Sequence, residues 1–302
     1  MSSPVLTPME VTAARLPPWI RAPLPRDQYP RVRALLASRG LTTVCREAHC
    51  PNLPECWSSG TATLMLLGET CTRRCRFCAV TTRSPGGVTD PSEPRRVAEA
   101  IREWGLRYVV LTMVCRDDLA DQGAELLAET VRCVRHESPG TRIELLTGDL
   151  GGQETALREV LESRPEVLAH NVETVRRLTP AVRDRRATYD RSLSVLRAAK
   201  RSAPGPILTK SSLMLGLGEE EREIFETLRD LREAHVDLVT LGQYLRPRGN
   251  GFFPVARYIP PEEFAQWEER ARALGFRGAV AGPMVRSSYR ADELYEAAIS
   301  QG

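Results

Sequence analysis

The chain is expected to fold as α/β, in an incomplete (β/α)6 TIM-like barrel with N- and C-terminal extensions. Three observations lead there. From residue 61 onward, short apolar runs rich in β-type residues alternate with amphipathic stretches of helical period. The runs are nearly continuous in apolar character, as strands buried on both faces are, so the sheet should be parallel. About six βα units in roughly 220 residues suit a partial barrel better than an open doubly wound sheet, and no Gly-x-Gly-x-x-Gly follows the first run.

In chain order, the strands are expected at Thr61–Leu67, Tyr108–Val114, Arg142–Leu146, Val167–Ala169, Ile207–Leu215 and Leu238–Gln243, with a further apolar run at Gly278–Val285. Helices are expected at Glu93–Trp104, Gly123–Arg135, Gln153–Glu162, Arg191–Arg201, Glu219–Ala234 and Pro261–Leu274. This divides the chain into an N-terminal extension (1–60), a barrel (61–277) and a C-terminal segment (278–302). Residues 1 to about 40 are rich in Pro and Arg and read as an extended arm with one short helix near Arg31 to Arg39.

Composition narrows the function classes. Of 302 residues, 42% are hydrophobic and 27% charged, which is ordinary for a globular protein, and a net charge of +3 makes no electrostatic case for a nucleic-acid partner. No run of eighteen apolar residues exists, so no membrane helix is expected. The first residues lack a basic start followed by an apolar core, so no secretory leader is read and a cytoplasmic, reducing location is expected.

In such a compartment the eight cysteines need a reason. Six of them, at 45, 50, 56, 71, 75 and 78, are clustered, which points to metal ligation before disulfides. Cys71, Cys75 and Cys78 are spaced C-x3-C-x2-C in GETCTRRCRFCAV, directly after the first expected strand. Three thiolates on one short loop can hold three corners of a four-iron cube and leave the fourth iron open for a substrate or cofactor. Arg73, Arg74 and Arg76 are expected to favour the deprotonated ligands. A zinc knuckle or a redox dithiol are the alternatives, but no fourth Cys or His follows within twenty residues. With Phe77 just before the third cysteine, the loop resembles the signature of the radical S-adenosylmethionine superfamily. That resemblance implies chelation of the open iron by the methionyl amino and carboxylate groups. It also implies one-electron cleavage of the sulfonium, yielding a 5′-deoxyadenosyl radical that abstracts hydrogen from unactivated carbon.

Cys45, Cys50 and Cys56 are spaced C-x4-C-x5-C in CREAHCPNLPECW. Pro51 and Pro54 argue against a regular helix here, so a loop wrapping a metal is expected, either a second cluster or a structural zinc using His49. The two triplets together resemble the lipoyl synthases. So do DDLADQGA, HNVETV (170–175), TYDRSL (188–193), TKSSLMLGLGE (209–219), LGQYLRP (241–247) and GPMVRSSY (282–289). The likeness runs from about residue 40 to 295; biotin synthases share only the second-occurring triplet.

The resemblance implies a sulfurtransferase that inserts two sulfur atoms, at C6 and C8, into an octanoyl chain amide-linked to a lysine. That lysine belongs to a carrier domain, a 2-oxoacid dehydrogenase E2 or a glycine cleavage H protein. It implies two [4Fe-4S] clusters, S-adenosylmethionine and an electron donor such as ferredoxin or flavodoxin, with no nucleic acid and no membrane. Cys71, Cys75 and Cys78 would hold the radical cluster. Cys45, Cys50, Cys56 and Ser288 would hold an auxiliary cluster that donates sulfur, with Ser287 as the alternative ligand. Read from residues alone, the RSSY serines would cap a helix at Ala291–Ile299. Asn171, Glu173, Lys210, Gln243 and Arg286 are candidate cofactor contacts, and Gly216 and Gly218 would let backbone approach the cofactor.

The chain departs from the family pattern at Met113-Val114-Cys115, where Ser-Val-Asp is usual, and at Thr147-Gly148-Asp149-Leu150, where Pro-Asp-Phe is usual after the third strand. The segment 248–253 replaces a more basic stretch. These changes leave open a paralogue with another acyl substrate, or a non-catalytic iron–sulfur carrier or redox sensor. Cys133, inside a helical pattern, reads as a small packing residue.

Overall fold

The computed structural model describes residues 16–21, 29–58 and 63–300. The Pro- and Arg-rich arm falls largely outside these residues, as do Thr61 and Ala62 at the start of the first expected strand. The short helix of that arm is α1 (Tyr29–Ser38). An edge strand β1 (Thr42–Thr43) leads into two short helices, α2 (Val44–Glu47) and α3 (Leu53–Ser58). The barrel then follows as β2 (Thr63–Leu66), β3 (Thr70–Cys71), β4 (Thr81–Thr82), α4 (Glu93–Trp104), β5 (Tyr108–Met113) and α5 (Ala124–Glu137). It continues with β6 (Arg142–Leu146), α6 (Glu154–Glu162), β7 (Val167–Ala169), α7 (Thr179–Val182), α8 (Tyr189–Ser202), β8 (Leu208–Leu215) and α9 (Glu221–Glu233). The last elements are β9 (Leu238–Gln243), α10 (Pro261–Ala273), β10 (Gly278–Gly282) and α11 (Ala291–Ile299).

The main sheet is 8-stranded, in the order β1-β2-β5-β6-β7-β8-β9-β10. Every neighbouring pair is parallel except β1, which lies antiparallel on β2. The strands are buried runs, β9 and β2 along their whole length, because helices cover the outside and side chains fill the inside. Each helix turns an apolar stripe inward; α4 buries Val97, Ala98, Ala100 and Ile101 and stops at Gly105, whose φ of 73° supplies the left-handed cap. The run at 278–282 extends the parallel sheet beside β9.

Among the described residues the sheet does not close on itself by backbone bonds. Its β2 and β10 ends are joined by side chains: Thr63 Oγ1 donates to Ser288 Oγ at 2.8 Å, Asn52 Nδ2 to the Met284 carbonyl at 2.5 Å, and the Tyr289 hydroxyl to Glu55 at 3.0 Å. Helix α11 shuts the opposite end, where Leu294, Tyr295 and Ala298 pack on Val167, Leu208 and Leu238, the first residues of their strands. The open mouth therefore lies at the carboxyl ends of the strands, where βα loops collect functional side chains. No helix among the described residues is long and apolar enough to cross a membrane.

Candidate active site

Beyond β2 the chain turns into the short parallel pair β3–β4, which closes a loop carrying Cys71, Cys75 and Cys78. The loop is fastened on several sides. Thr72 donates to the Cys115 carbonyl through both its amide and its hydroxyl, each at 2.9 Å. The Arg74 amide donates to Asp184 Oδ2 at 2.9 Å and the Arg76 amide to the Val182 carbonyl at 2.7 Å. The sulfurs accept backbone N–H groups: Arg73 to Cys71 at 3.4 Å, Asp184 to Cys75 at 3.3 Å, and Val80 to Cys78. Such N–H···S bonds suit thiolates that ligate iron.

Beneath the loop, buried Arg73 bonds both Asp117 oxygens and reaches Asp149 Oδ1 at 2.7 Å. Arg186 extends this network to Asp117, Asp184 and the Thr72 carbonyl. Asp117 and Asp149, far from the loop in sequence, are brought to it only by the fold. The expected help of the arginines to the thiolates is corrected accordingly. Arg73 is committed to carboxylates, Arg74 is exposed, and Arg76 lies over the Phe253 ring at 5.2 Å. Only Cys71 is lowered, to about 6, chiefly by the Cys115 thiol that donates to it and less by Arg73. Burial pushes Cys75 up to about 11 and Cys78 up to about 12.

The two sequence departures meet here. A Cβ at Gly148 would lie 2.9 Å from Cys115 Sγ, so the thiol uses space that only a glycine leaves. Cys133 is half-buried on α5, beside Glu129.

The loop after β7 brings Asn171 and Glu173 to the mouth. Glu173 is held in the left-handed region at φ 68°, its amide bonded to the Ser212 carbonyl at 3.0 Å and its carbonyl accepting from Met214 at 2.9 Å. Burial pushes its carboxyl up against the opposing pull of Arg183 and Asn171, and the group acts on Cys75 and Cys78. His170, behind them, bonds the Thr147 carbonyl and Ser192 Oγ, each at 2.9 Å, and burial lowers it to about 4.

The N-terminal triplet departs from the expected loop. Cys45 lies in α2, Cys56 in α3, and Cys50 in the turn between, its amide bonded to the Cys45 carbonyl at 3.0 Å. Pro54 is tolerated because it falls in the first turn of α3, where its missing N–H is no loss. His49 is exposed. Burial pushes the Cys45 thiol up to about 11, while Thr63 and the Trp57 indole N–H oppose that rise. The Trp57 N–H and Asn52 Oδ1 are buried with no other partner. Arg286 sits beside Cys50, and among the described residues its bonding partners are the carbonyls of Pro283 and Val285, with no carboxylate. A Trp57 N–H that acts on Cys45 and a guanidinium without a carboxylate among the described residues fit an anionic, thiolate-held group at this place.

Adjacent serines join the two regions. Ser288 accepts from Thr63, next to Cys45, whereas Ser287 Oγ donates to Asn171 Oδ1 at 3.1 Å, next to Glu173. Neither caps α11, whose N-cap position is Arg290 at φ 47° with no side-chain cap bond.

Four candidate contacts are turned to the protein itself in the structure. Lys210 is not at a strand end but third in β8, fully buried, with Nζ 2.9 Å from both Glu144 oxygens and Tyr108 sharing that carboxylate. Gln243 spends its amide on the carbonyls of Leu215, Tyr244 and Arg257 and on the Ile259 amide. The space beside Gly216, at φ 98°, is filled by Gln243 and the Arg257 carbonyl, and Gly218 faces Ala256, so protein occupies both positions.

Among the described residues no three His, Cys, Asp or Glu side chains converge as ligands of a single ion do. The corners of a four-iron cube are separate irons, each served by its own thiolate.

Residues 65–231 match the model of the radical SAM superfamily. A lipoyl synthase of Thermus thermophilus is 57% identical over 280 residues, covering 92% of this chain and 86% of that protein. One from Pyrobaculum calidifontis is 54% identical, covering 93% and 96%, and a mitochondrial one from Saccharomyces cerevisiae is 48% identical, covering 97% and 73%. Among solved structures, the FeFe-hydrogenase maturase HydG of Carboxydothermus hydrogenoformans superposes with a TM-score of 0.58 at 17% identity, over 90% of this chain and 62% of that one, a likeness of fold alone.

Proposed function

The chain belongs to the lipoyl synthase family, within the radical S-adenosylmethionine superfamily, and on that premise we propose that its two cysteine triplets serve one reaction. Membership brings S-adenosylmethionine and a [4Fe-4S] cluster; the reading adds a second, auxiliary cluster. The product is a lipoyl group, made by inserting sulfur at C6 and C8 of an octanoyl chain on a carrier-domain lysine. The carrier is an E2 or H protein, the reductant a ferredoxin or flavodoxin, and the location cytoplasmic.

When bound, the clusters and S-adenosylmethionine supply hydrogen abstraction and the two sulfur atoms. The chain's residues do the rest. Cys71, Cys75 and Cys78 would hold the radical cluster, on a loop kept rigid by Arg73, Asp117 and Asp149. Cys45, Cys50, Cys56 and Ser288 would hold the auxiliary one, with Arg286 offsetting its negative charge beside Cys50. Asn171 and Glu173 would receive the polar end of S-adenosylmethionine. Lys210 and Gln243 are left out of that set.

One observation supports the reading: Ser287 and Ser288, neighbours in sequence, bond toward opposite triplets, Ser288 to Thr63 beside Cys45 and Ser287 to Asn171 beside Glu173. The test uses reconstituted protein with about eight irons, a strong reductant and an octanoyl-lysyl peptide. Deoxyadenosine and a dithiolated peptide are expected. Cluster binding without deoxyadenosine would favour a carrier or sensor. Deoxyadenosine with no thiolated octanoyl product would favour a different substrate.

A further inference from the structure

We infer that the rim of the mouth is a docking surface for an acidic face of the carrier, with Arg74, Arg185, Arg246 and Arg248 as its cations. The inference rests on the reading that the octanoyl chain arrives tethered to a folded domain. A chain that enters the mouth on a lysyl tether leaves its domain pressed against the rim, so the rim's chemistry selects the domain's surface.

The four arginines come from three loops, each leaving the carboxyl end of a strand: Arg74 after β2, Arg185 after β7, Arg246 and Arg248 after β9. All four are exposed. The loops are bound into one arc. The Arg74 amide bonds Asp184, the neighbour of Arg185, and the Phe253 amide bonds the Arg76 carbonyl at 2.8 Å. The Arg76 side chain bonds the carbonyls of Gly251 at 3.2 Å and Ala181 at 3.3 Å. Arg76 and Arg246 both act on the Tyr244 hydroxyl.

The charge of this arc is uncompensated. Among the described residues, none of the four arginines has a carboxylate within ion-pairing distance. Of the acids on the same loops, Asp184 is bonded to Arg186 and the Arg74 amide, Glu173 lies beside the cysteines, and Glu69 accepts from the Thr42 hydroxyl at 3.2 Å. Segment 244–260 contains no Asp or Glu. The outer helices differ. Arg95, Arg102, Arg132, Arg229 and Arg272 each pair with a glutamate. Exposed cations without carboxylate partners among the described residues attract an oppositely charged surface around an entrance, and they act mainly on encounter rate and salt dependence.

The experiment compares two substrates, an octanoylated carrier domain and a short octanoyl-lysyl peptide with no domain, using Arg185→Glu/Arg246→Glu/Arg248→Glu and the matching triple lysine variant. For the domain, the glutamate variant should raise KM by about tenfold or more at low salt with kcat kept, and the lysine variant should behave as wild type. For the peptide, both variants should match wild type. Raising salt should raise the wild-type KM for the domain and flatten the difference between variants. Equal kinetics of wild type and glutamate variant on the domain would overturn the inference. So would equal losses on domain and peptide, which would assign these arginines to the chemistry itself. Failure of the underlying reading looks different: wild type would thiolate neither substrate. Unchanged circular dichroism and iron content of the variants exclude misfolding as the cause.

Discussion

Cys71, Cys75 and Cys78 take their positions from one short loop whose backbone is bonded to three other loops and whose base is a buried Arg73–Asp117–Asp149 network. Cys45 and Cys56 stand on two helices of four and six residues with Cys50 in the turn between, and what closes over them is the segment around Met284–Tyr289, more than two hundred residues away. The first arrangement is local and stiff. The second is assembled across the chain. On the proposed reading, the radical cluster, unchanged through the reaction, takes the first kind of seat, and the cluster that gives up sulfur takes the second.

The sharpest way to break this contrast is to remove one thiol from each side. Cys71→Ala should lower deoxyadenosine release by more than about a hundredfold. Cys50→Ala should spare that release and lose the thiolated product to a similar degree. If both variants lose deoxyadenosine, the two seats are not separable.

Asp149→Ala tests the stiffness. It leaves Arg73 buried with half its compensation, which should cost about 3–5 kcal/mol, read as a lower urea midpoint. In a chain lacking the N-terminal thiols, iron at the remaining triplet should become labile. In a chain lacking Cys71, Cys75 and Cys78, iron should be held as before.

Acid offers a third test. His170 lies behind the first seat, with a pKa lowered to about 4 from an ordinary 6.5, so the fold prefers it neutral. Its contribution is complete above pH 6.5 and is lost as pH falls toward 4, about 3 kcal/mol in all. The metal-free chain should lose stability across that window, and His170→Gln should flatten the profile. An unchanged profile would mean that other groups set it.

The smallest effect belongs to the second seat. Tyr289→Phe removes the bond to Glu55, worth about 1 kcal/mol, and should speed release of iron to a chelator from that triplet alone.

The fold was largely legible because its signals are local and periodic. Glu93–Trp104 was expected and found with the same bounds, since Pro94 opens it and Gly105 ends it. The strands from Tyr108 to Gln243 followed from buried apolar runs. What could not be read is direction and distance. A run such as Leu208–Leu215 does not say that Lys210 lies low in the barrel against Glu144. Nothing near Gln243 in sequence marks it as a backbone clamp. The RSSY serines carry an equally good helix-cap reading; only contacts with Thr63 and Asn171, from distant strands, turn them toward the cysteines. Proline content argued for a loop around Cys50, but a proline in a first turn does not prevent a short helix.

Because the plug of the barrel and both serines belong to residues 284–299, a ribosome that has reached residue 280 has already made every cysteine and every partner of the first seat, but not the segment that closes over the second. Premature iron capture by the growing chain would therefore meet a barrel still open at both ends. The segment that closes over Cys45, Cys50 and Cys56 is thus the last part of the described site to be made.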